Sequence, residues 1–228
     1  MTGPPLNEAV EWRMPIWAPA VSSALDRAAA MLPSDAKVLE IGYNSGTMSC
    51  YMASRYGWNV VGYDIADSSR IKAEETALYY GLEENSDFRV CSPDETLSIK
   101  GDYDAVFLKS VLYHISDKGV YRSWLDWLHS VVKDGGVVIA VENGGGVIDK
   151  IYRKNIKRSR WADFLLFDGW VEQKFRQRFR HVDIRYFGRF AQFFTSLPKV
   201  CRLIRTFEDR FCPPSADHCF VASVVARK

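Results

Sequence analysis

Val38-Leu-Glu-Ile-Gly-Tyr-Asn-Ser-Gly46 is the stretch whose reading decides the fold. Val38 and Leu39 open an apolar run that reads as a buried strand, and Thr47 to Tyr56 reads as a helix. A glycine-rich turn between strand and helix lets the backbone come close to a ligand. A second strand, Asn59-Val-Val-Gly-Tyr63, ends on Asp64, 24 residues past Glu40. A carboxylate at that place can accept both hydroxyls of a ribose. The unit therefore predicts a nucleoside-cofactor site. A dinucleotide site requires G-x-G-x-x-G, in which the third glycine permits close helix packing. Here Gly42, Asn44 and Gly46 are followed by Met48 and Ser49, so that pattern is not met. The missing glycine argues against an NAD-dependent oxidoreductase.

Outward from this unit the chain alternates strands and helices. A helix is expected near Ala18 to Met31, before the first strand at Lys37. After Asp64 comes a helix over about Ser68 to Tyr80, with Asp67 or Ser68 as N-cap. Strands follow at Phe88 to Cys91 and Tyr103 to Leu108. A long helix spans about Gly119 to Val132, with Val120, Trp124, Trp127, Leu128 and Val131 on one face. Lys133-Asp-Gly-Gly136 stops it, and Val137 to Val141 is a fifth strand. Alternation with short turns predicts an α/β fold, a mostly parallel sheet covered on both faces. Beyond it, Ile148 to Arg180 reads as helical, with Trp170, Val171, Phe175 and Phe179 spaced for one face. Val182 to Phe187 reads as a strand, Phe190 to Arg210 as helix interrupted at Pro198, and Cys219 to Ala226 as a last strand.

At 228 residues, 47% hydrophobic and 25% charged, the chain is long enough for one domain with a full core. The first residues lack a basic region followed by an apolar run, so no signal peptide is expected. The purest apolar stretch, Gly136 to Val141, is too short to span a bilayer. Five cysteines, none in a CxxC pair, and no His/Cys cluster at zinc spacing point to a reduced cytoplasmic setting and no metal. The net charge of +2 hides an asymmetry. Residues 150 to 210 hold 16 Lys/Arg against 6 Asp/Glu, a balance of +10, and 13 of the 31 aromatic residues. Such asymmetry bears on partners rather than on fold.

Several motifs in order resemble the class I S-adenosylmethionine-dependent methyltransferases. Val38 to Gly46 is similar to the family's first motif and Gly62-Tyr-Asp-Ile65 to its ribose-binding second. Asp102-Tyr-Asp-Ala-Val-Phe107 with Val111-Leu-Tyr-His-Ile115 is similar to the fourth strand and the segment after it. Val132-Lys-Asp-Gly-Gly-Val-Val-Ile139 resembles the turn into strand five, and Phe220 to Val225 the closing antiparallel strand. The resemblance implies a Rossmann-like seven-stranded sheet with an antiparallel last strand and a helical substrate-binding insertion. It divides the single domain into a lead and helix (1–34), a cofactor core (35–147), a basic aromatic cap (148–210) and a closing strand (211–228). It also implies S-adenosylmethionine as cofactor and assigns roles. Gly42 and Gly46 would let the loop pass under the methionine part. Glu40 would orient the loop and contact the cofactor's ammonium. Asp64 would bind the ribose hydroxyls, and Ile65 would pack on the adenine. Asn44 stands where the motif usually has a second glycine, and Asn tolerates a left-handed backbone. Ser92 or Asp94 would take the place of the acid that faces the adenine amine.

The methyl of such a cofactor is already electrophilic, so the protein aligns a nucleophile and excludes water. Alignment alone supplies about 7–11 kcal/mol. A hydroxyl acceptor also needs a base, and histidine suits that role near neutral pH. Tyr113 and His114 follow the fourth strand, at the end of the sheet where open α/β folds bind ligands. They are the candidate catalytic pair, with a packing role before the long helix as the alternative. His129 reads as structural, and His181 is a candidate for lining a substrate pocket. The expected function is methyl transfer to O or N of a small molecule or glycan; RNA, contacted by the basic aromatic segment through phosphates and stacking, is the less expected partner because no recognised RNA-binding module is appended. A second reading takes an anionic, lipid-linked or membrane-bound substrate, with Trp170 to Arg180 resting on an acidic membrane. A third is a methyltransferase fold used as a scaffold.

Overall fold

The computed structural model describes residues 3–10, 14–145 and 165–228. Seven strands form one sheet: β1 (Lys37–Ile41), β2 (Asn59–Asp64), β3 (Ser86–Val90), β4 (Tyr103–Lys109), β5 (Val132–Asn143), β6 (His181–Phe187) and β7 (Val221–Arg227). Their order is β3-β2-β1-β4-β5-β7-β6. The first five pair in parallel, and β7 runs antiparallel to both β5 and β6. Among the described residues the helices are α1 (Leu6–Val10), α2 (Met14–Ala29), α3 (Thr47–Tyr56), α4 (Asp67–Tyr80), α5 (Pro93–Thr96), α6 (Lys118–Val131), α7 (Gly169–Arg178) and α8 (Pro198–Phe211). The chain winds outward from β1 to β3 and then returns to β4. The sheet therefore has its switch point between β1 and β4, where the loops leaving the two strands diverge around a crevice.

Period-two alternation in the strands builds a core on each face. Ala105 and Phe107 of β4 pack under α2 with Val38, Val60, Ile139 and Val225, while Val106 and Leu108 face the other way, towards α6 and α7. Trp124, Leu125, Leu128 and Val131 of α6 are buried there, together with Val171, Phe175 and Phe179 of the α7 segment. Of the basic segment, residues 165–187 thus join the core, with β6 as an edge strand, whereas 146–164 lie outside the described residues. The Trp170–Arg180 stretch does not offer its apolar face to a membrane, because Val171, Phe175 and Phe179 are buried.

Local details differ from the expectations for identifiable reasons. Asp67 lies inside α4 and Ala66 is its cap residue, with no side-chain cap; Asp67 pairs instead with Arg70 at 2.9 Å. Val120 is 47% exposed and Tyr121 takes the buried position, one residue round the helix. Lys133 to Gly136 bend the chain without ending its extended run: β5 starts at Val132, its register with β4 is interrupted, and Gly135 sits at φ 82. Pro198 begins α8 rather than breaking it, as expected of a residue without an N–H in the first helical turn.

Candidate active site

The loop between β1 and α3 is fixed by its own backbone. Gly42 and Gly46 have φ of 79 and 71, and Asn44 has φ 49, so all three stand in the left-handed region. Asn44 fills the missing glycine's place as the sequence led us to expect. A Cβ on Gly42 would lie 2.9 Å from Val111 Cγ2, so the loop passes directly against the segment after β4. A Cβ on Gly46 would lie 2.6 Å from that of Ala73, so α4 packs on the loop only because no side chain is there. Gly42 N donates to the Tyr63 carbonyl at 2.7 Å, tying the loop to β2. Glu40 is buried and accepts from the Ser49 hydroxyl, which joins the end of β1 to the first turns of α3.

Asp64 ends β2 beside this loop. One carboxylate oxygen accepts from Asn44 N at 2.9 Å and the other from Ala66 N at 3.2 Å. Each oxygen has a second lone pair to offer, so the carboxylate is oriented and still able to accept from a ribose. Ile65 follows at 68% exposure, an aliphatic side chain left in the open next to that carboxylate. Bare-backbone cradle, held carboxylate and exposed aliphatic surface form a set that fits the methionine, ribose and adenine parts of S-adenosylmethionine. Ser92 is engaged locally: it caps α5, its hydroxyl accepts from Glu95 N and donates to Glu95 Oε2, and the Glu95 carboxylate answers Ser92 N. Asp94 stands exposed two residues on.

Across the crevice, β4 gives way to a short 3-10 turn, Leu112–His114. The backbone N–H groups of Val111, Leu112 and Tyr113 all donate to the Glu142 carboxylate, at 3.1, 3.0 and 3.4 Å. Glu142 is buried at the end of β5. Burial pushes its carboxyl up to about 7, against the pull of the three N–H groups. Ser110 takes a left-handed φ of 56, and its amide donates to the Val141 carbonyl at 2.9 Å. The strained turn is thus anchored to β5 on both sides. It presents Tyr113, half-buried, and His114, exposed, with ring centroids 3.9 Å apart. Partial desolvation lowers the His114 pKa and raises that of Tyr113.

The expected residues therefore fall into two groups at the carboxyl ends of the strands: Glu40, Gly42, Asn44, Gly46, Asp64 and Ile65 on one side, Tyr113 and His114 on the other. Glu142 was missed by sequence reasoning. Its signal was the one that picked out Asp64, an acid closing an apolar strand at the carboxyl end of the sheet. His181 does not line this site. It starts β6 at the opposite end of the sheet, beside a cavity of about 810 Å3 also lined by His129, Arg178 and Arg227. Among the described residues no cluster of His, Cys, Asp and Glu could hold a metal ion, and no helix is long and apolar enough to cross a membrane.

A parallel sheet of this order with a reversed β7, and a loop–carboxylate pair at its switch point, defines the class I S-adenosylmethionine-dependent methyltransferases. A family model described as Methyltransferase domain matches residues 14–197, and the chain belongs to that family. Over 104 residues it is 30% identical to phosphoethanolamine N-methyltransferase 1 of Zea mays, a match over 45% of this chain and 20% of that protein. The match thus spans about a fifth of the length of such curated relatives. Among solved structures, phosphoethanolamine N-methyltransferase 2 of Haemonchus contortus in complex with S-adenosyl-L-methionine is similar with a TM-score of 0.65. Its identity is 16%, over 96% of this chain and 56% of that one. The cyclase SpnF is similar with a TM-score of 0.62 and 15% identity, over 93% and 83% of the two chains. At such identities the likeness shows the fold.

Proposed function

We propose that this chain transfers a methyl group from S-adenosylmethionine to a nitrogen or oxygen of a small-molecule acceptor, in the crevice between β1 and β4. The observation that carries the reading is the convergence there of a left-handed Gly42-Asn44-Gly46 loop bonded to Asp64 and a Tyr113–His114 pair held by Glu142. In this reading Gly42 and Gly46 lie under the methionine part, Asp64 takes the ribose hydroxyls and Ile65 packs on the adenine. Glu40 holds the loop through Ser49. Asp94 serves the adenine amine, since Ser92 is committed to its cap. When bound, the cofactor supplies an electrophilic methyl on a sulfonium.

The chain's own part is positioning and proton management. His114, whose pKa partial desolvation lowers, takes the acceptor's proton in this reading. Tyr113 backs the imidazole and narrows its approach. Glu142 fixes where both begin without touching the acceptor. A specific observation favours an acceptor carrying a phosphate: the relatives are phosphoethanolamine N-methyltransferases, and residues 150 to 210 carry a balance of +10. Incubation with cofactor labelled on its methyl and a panel of amines, their phosphate esters, phenols and glycans tests this. Label is expected in an amine or hydroxyl compound, favouring phosphorylated ones. Cofactor binding without transfer to any of them would instead indicate a scaffold.

A further inference from the structure

The exposed apolar surface of the described residues is concentrated in one place. Half of the large hydrophobic side chains that stand exposed lie between Phe190 and Phe211. Most of them belong to α8 and its lead-in, and α8 is turned the wrong way round for a globular protein. A surface helix ordinarily buries its apolar stripe and shows its polar face. On the inner face of α8, Ile204 packs against the core, but the groups around it are polar or small. Cys201 is buried against the Ala191 carbonyl, and the buried Glu208 accepts from Phe190 N and Ala191 N. Arg205 Nη1 donates to the Pro15 carbonyl at 3.1 Å. These bonds fix the helix, and Val200, Leu203, Phe207 and Phe211 then form an outward stripe at helical spacing. Leu203, Phe207 and Phe211 are 71%, 56% and 64% exposed.

Basic side chains border that stripe. Lys199 and Arg210 lie next to it on the helix wheel, and the Arg210 guanidinium stands 5.4 Å from the Phe211 ring centroid. Arg189 holds the same relation to Phe190, also at 5.4 Å. The placement is equally pointed. The helix hangs between the end of β6 and the start of β7, where Phe187 pairs with Val221 and Val221 with Asn143. It therefore sits at the carboxyl end of the sheet, the end that carries Tyr113 and His114.

The charge decides among the possible occupants. A second copy would bring basic borders against basic borders. Residues 146–164 carry Lys150, Arg153, Lys154, Lys157, Arg158 and Arg160 against Asp149 and Asp163, so they too would stack like charge on like. An anionic lipid surface complements both the stripe and its border. We propose that α8 is an interfacial helix, which lays Val200, Leu203, Phe207 and Phe211 into the headgroup region of an anionic bilayer. It brings the crevice between β1 and β4 to acceptors presented at that surface; only this last consequence rests on the methyl-transfer reading.

Flotation with vesicles of phosphatidylcholine, alone or mixed with phosphatidylglycerol, tests the proposal. The protein is expected to float with the mixed vesicles at low salt and to be released by high salt. A Leu203→Ser/Phe207→Ser variant is expected to bind them at least about tenfold more weakly. Its S-adenosylhomocysteine affinity, measured in the same preparation, should match that of the unaltered protein, which shows that the fold is intact. Absence of flotation at low salt, equal binding by the variant, or a dimer in light scattering that the variant dissociates would each overturn it. None of these results bears on cofactor binding, so the two readings fail separately.

Discussion

Replacing Glu142 probes the link between the sheet and the turn that carries Tyr113 and His114. Glu142→Ala leaves three backbone N–H groups without their acceptor. That of Leu112 is buried, and an orphaned buried donor costs about 1–3 kcal/mol. Those of Val111 and Tyr113 are half-buried and recover part of their bonds from water, so the total is about 2–4 kcal/mol. Against this stands the cost of the charge itself. Burial raises the Glu142 carboxyl from 4.5 to about 7. Below the lower value the folded and unfolded chains are both protonated. Between the two values only the folded chain holds the proton, so this group's contribution to stability falls as pH rises through that window. The difference of about 2.5 units corresponds to about 3 kcal/mol. Glu142→Gln keeps an acceptor for two of the N–H groups and never ionises. Its denaturant midpoint should therefore lack the fall with rising pH that Glu142 gives the unaltered protein between pH 4.5 and 8, so the difference between the two profiles isolates this group. The glutamine variant should gain relative stability at the alkaline end, and the alanine variant should lose most at the acid end. Guanidinium titrations of the three proteins across that range measure this. A glutamine variant with the same pH profile as the unaltered protein, or one that loses ground as pH rises, would refute the reasoning.

Two further outcomes follow from the same geometry. Gly46→Ala combines a left-handed φ of 71 with a Cβ 2.6 Å from that of Ala73 and 2.9 Å from its Cα. It should cost about 2–4 kcal/mol in denaturant unfolding and weaken cofactor affinity, because α4 and the loop have to part. His114→Ala should lower turnover by about 100- to 10,000-fold with little change in cofactor affinity if the imidazole takes the acceptor's proton. Because desolvation lowers its pKa, turnover in the unaltered protein should climb with pH below 6.5 and then level off, and that limb should vanish in the variant.

What was legible in the sequence was what local chemistry alone dictates. Val38 and Leu39, Val60 and Val61, and Val137 to Val141 are apolar whatever surrounds them, so the strands and their alternation with helices could be read directly. Asp64 could be placed because a strand end and a turn fix it within a residue. Asn44 was legible for the same reason, since its left-handed backbone is a local property. Partnerships between distant segments were not. The role of Glu142 depends on β5 lying beside β4, which brings it within bonding distance of Val111 to Tyr113, about thirty residues back in the chain. The direction in which α8 faces is set by Glu208 reaching the amides of Phe190 and Ala191, and periodicity alone assigns its apolar stripe to the core. The Trp170–Arg180 stretch shows the converse: its stripe is filled by the core, although its composition resembles that of a membrane-surface helix. That His181 lies at the far end of the sheet from the crevice depends on the sense of β6, which only the pairing with β7 reveals.

The β1–β4 crevice is proposed to hold S-adenosylmethionine through the Asp64 carboxylate. Calorimetric titration with S-adenosylhomocysteine tests it most directly. The unaltered chain should bind one equivalent. Asp64→Ala removes the acceptor for the ribose hydroxyls and also the two bonds that hold Asn44 and Ala66, a loss of about 2–4 kcal/mol, or roughly 30- to 1000-fold in affinity. Asp64→Asn, which keeps one acceptor oxygen, should fall between the two. Equal affinity in all three proteins, with their circular dichroism unchanged, would contradict the account.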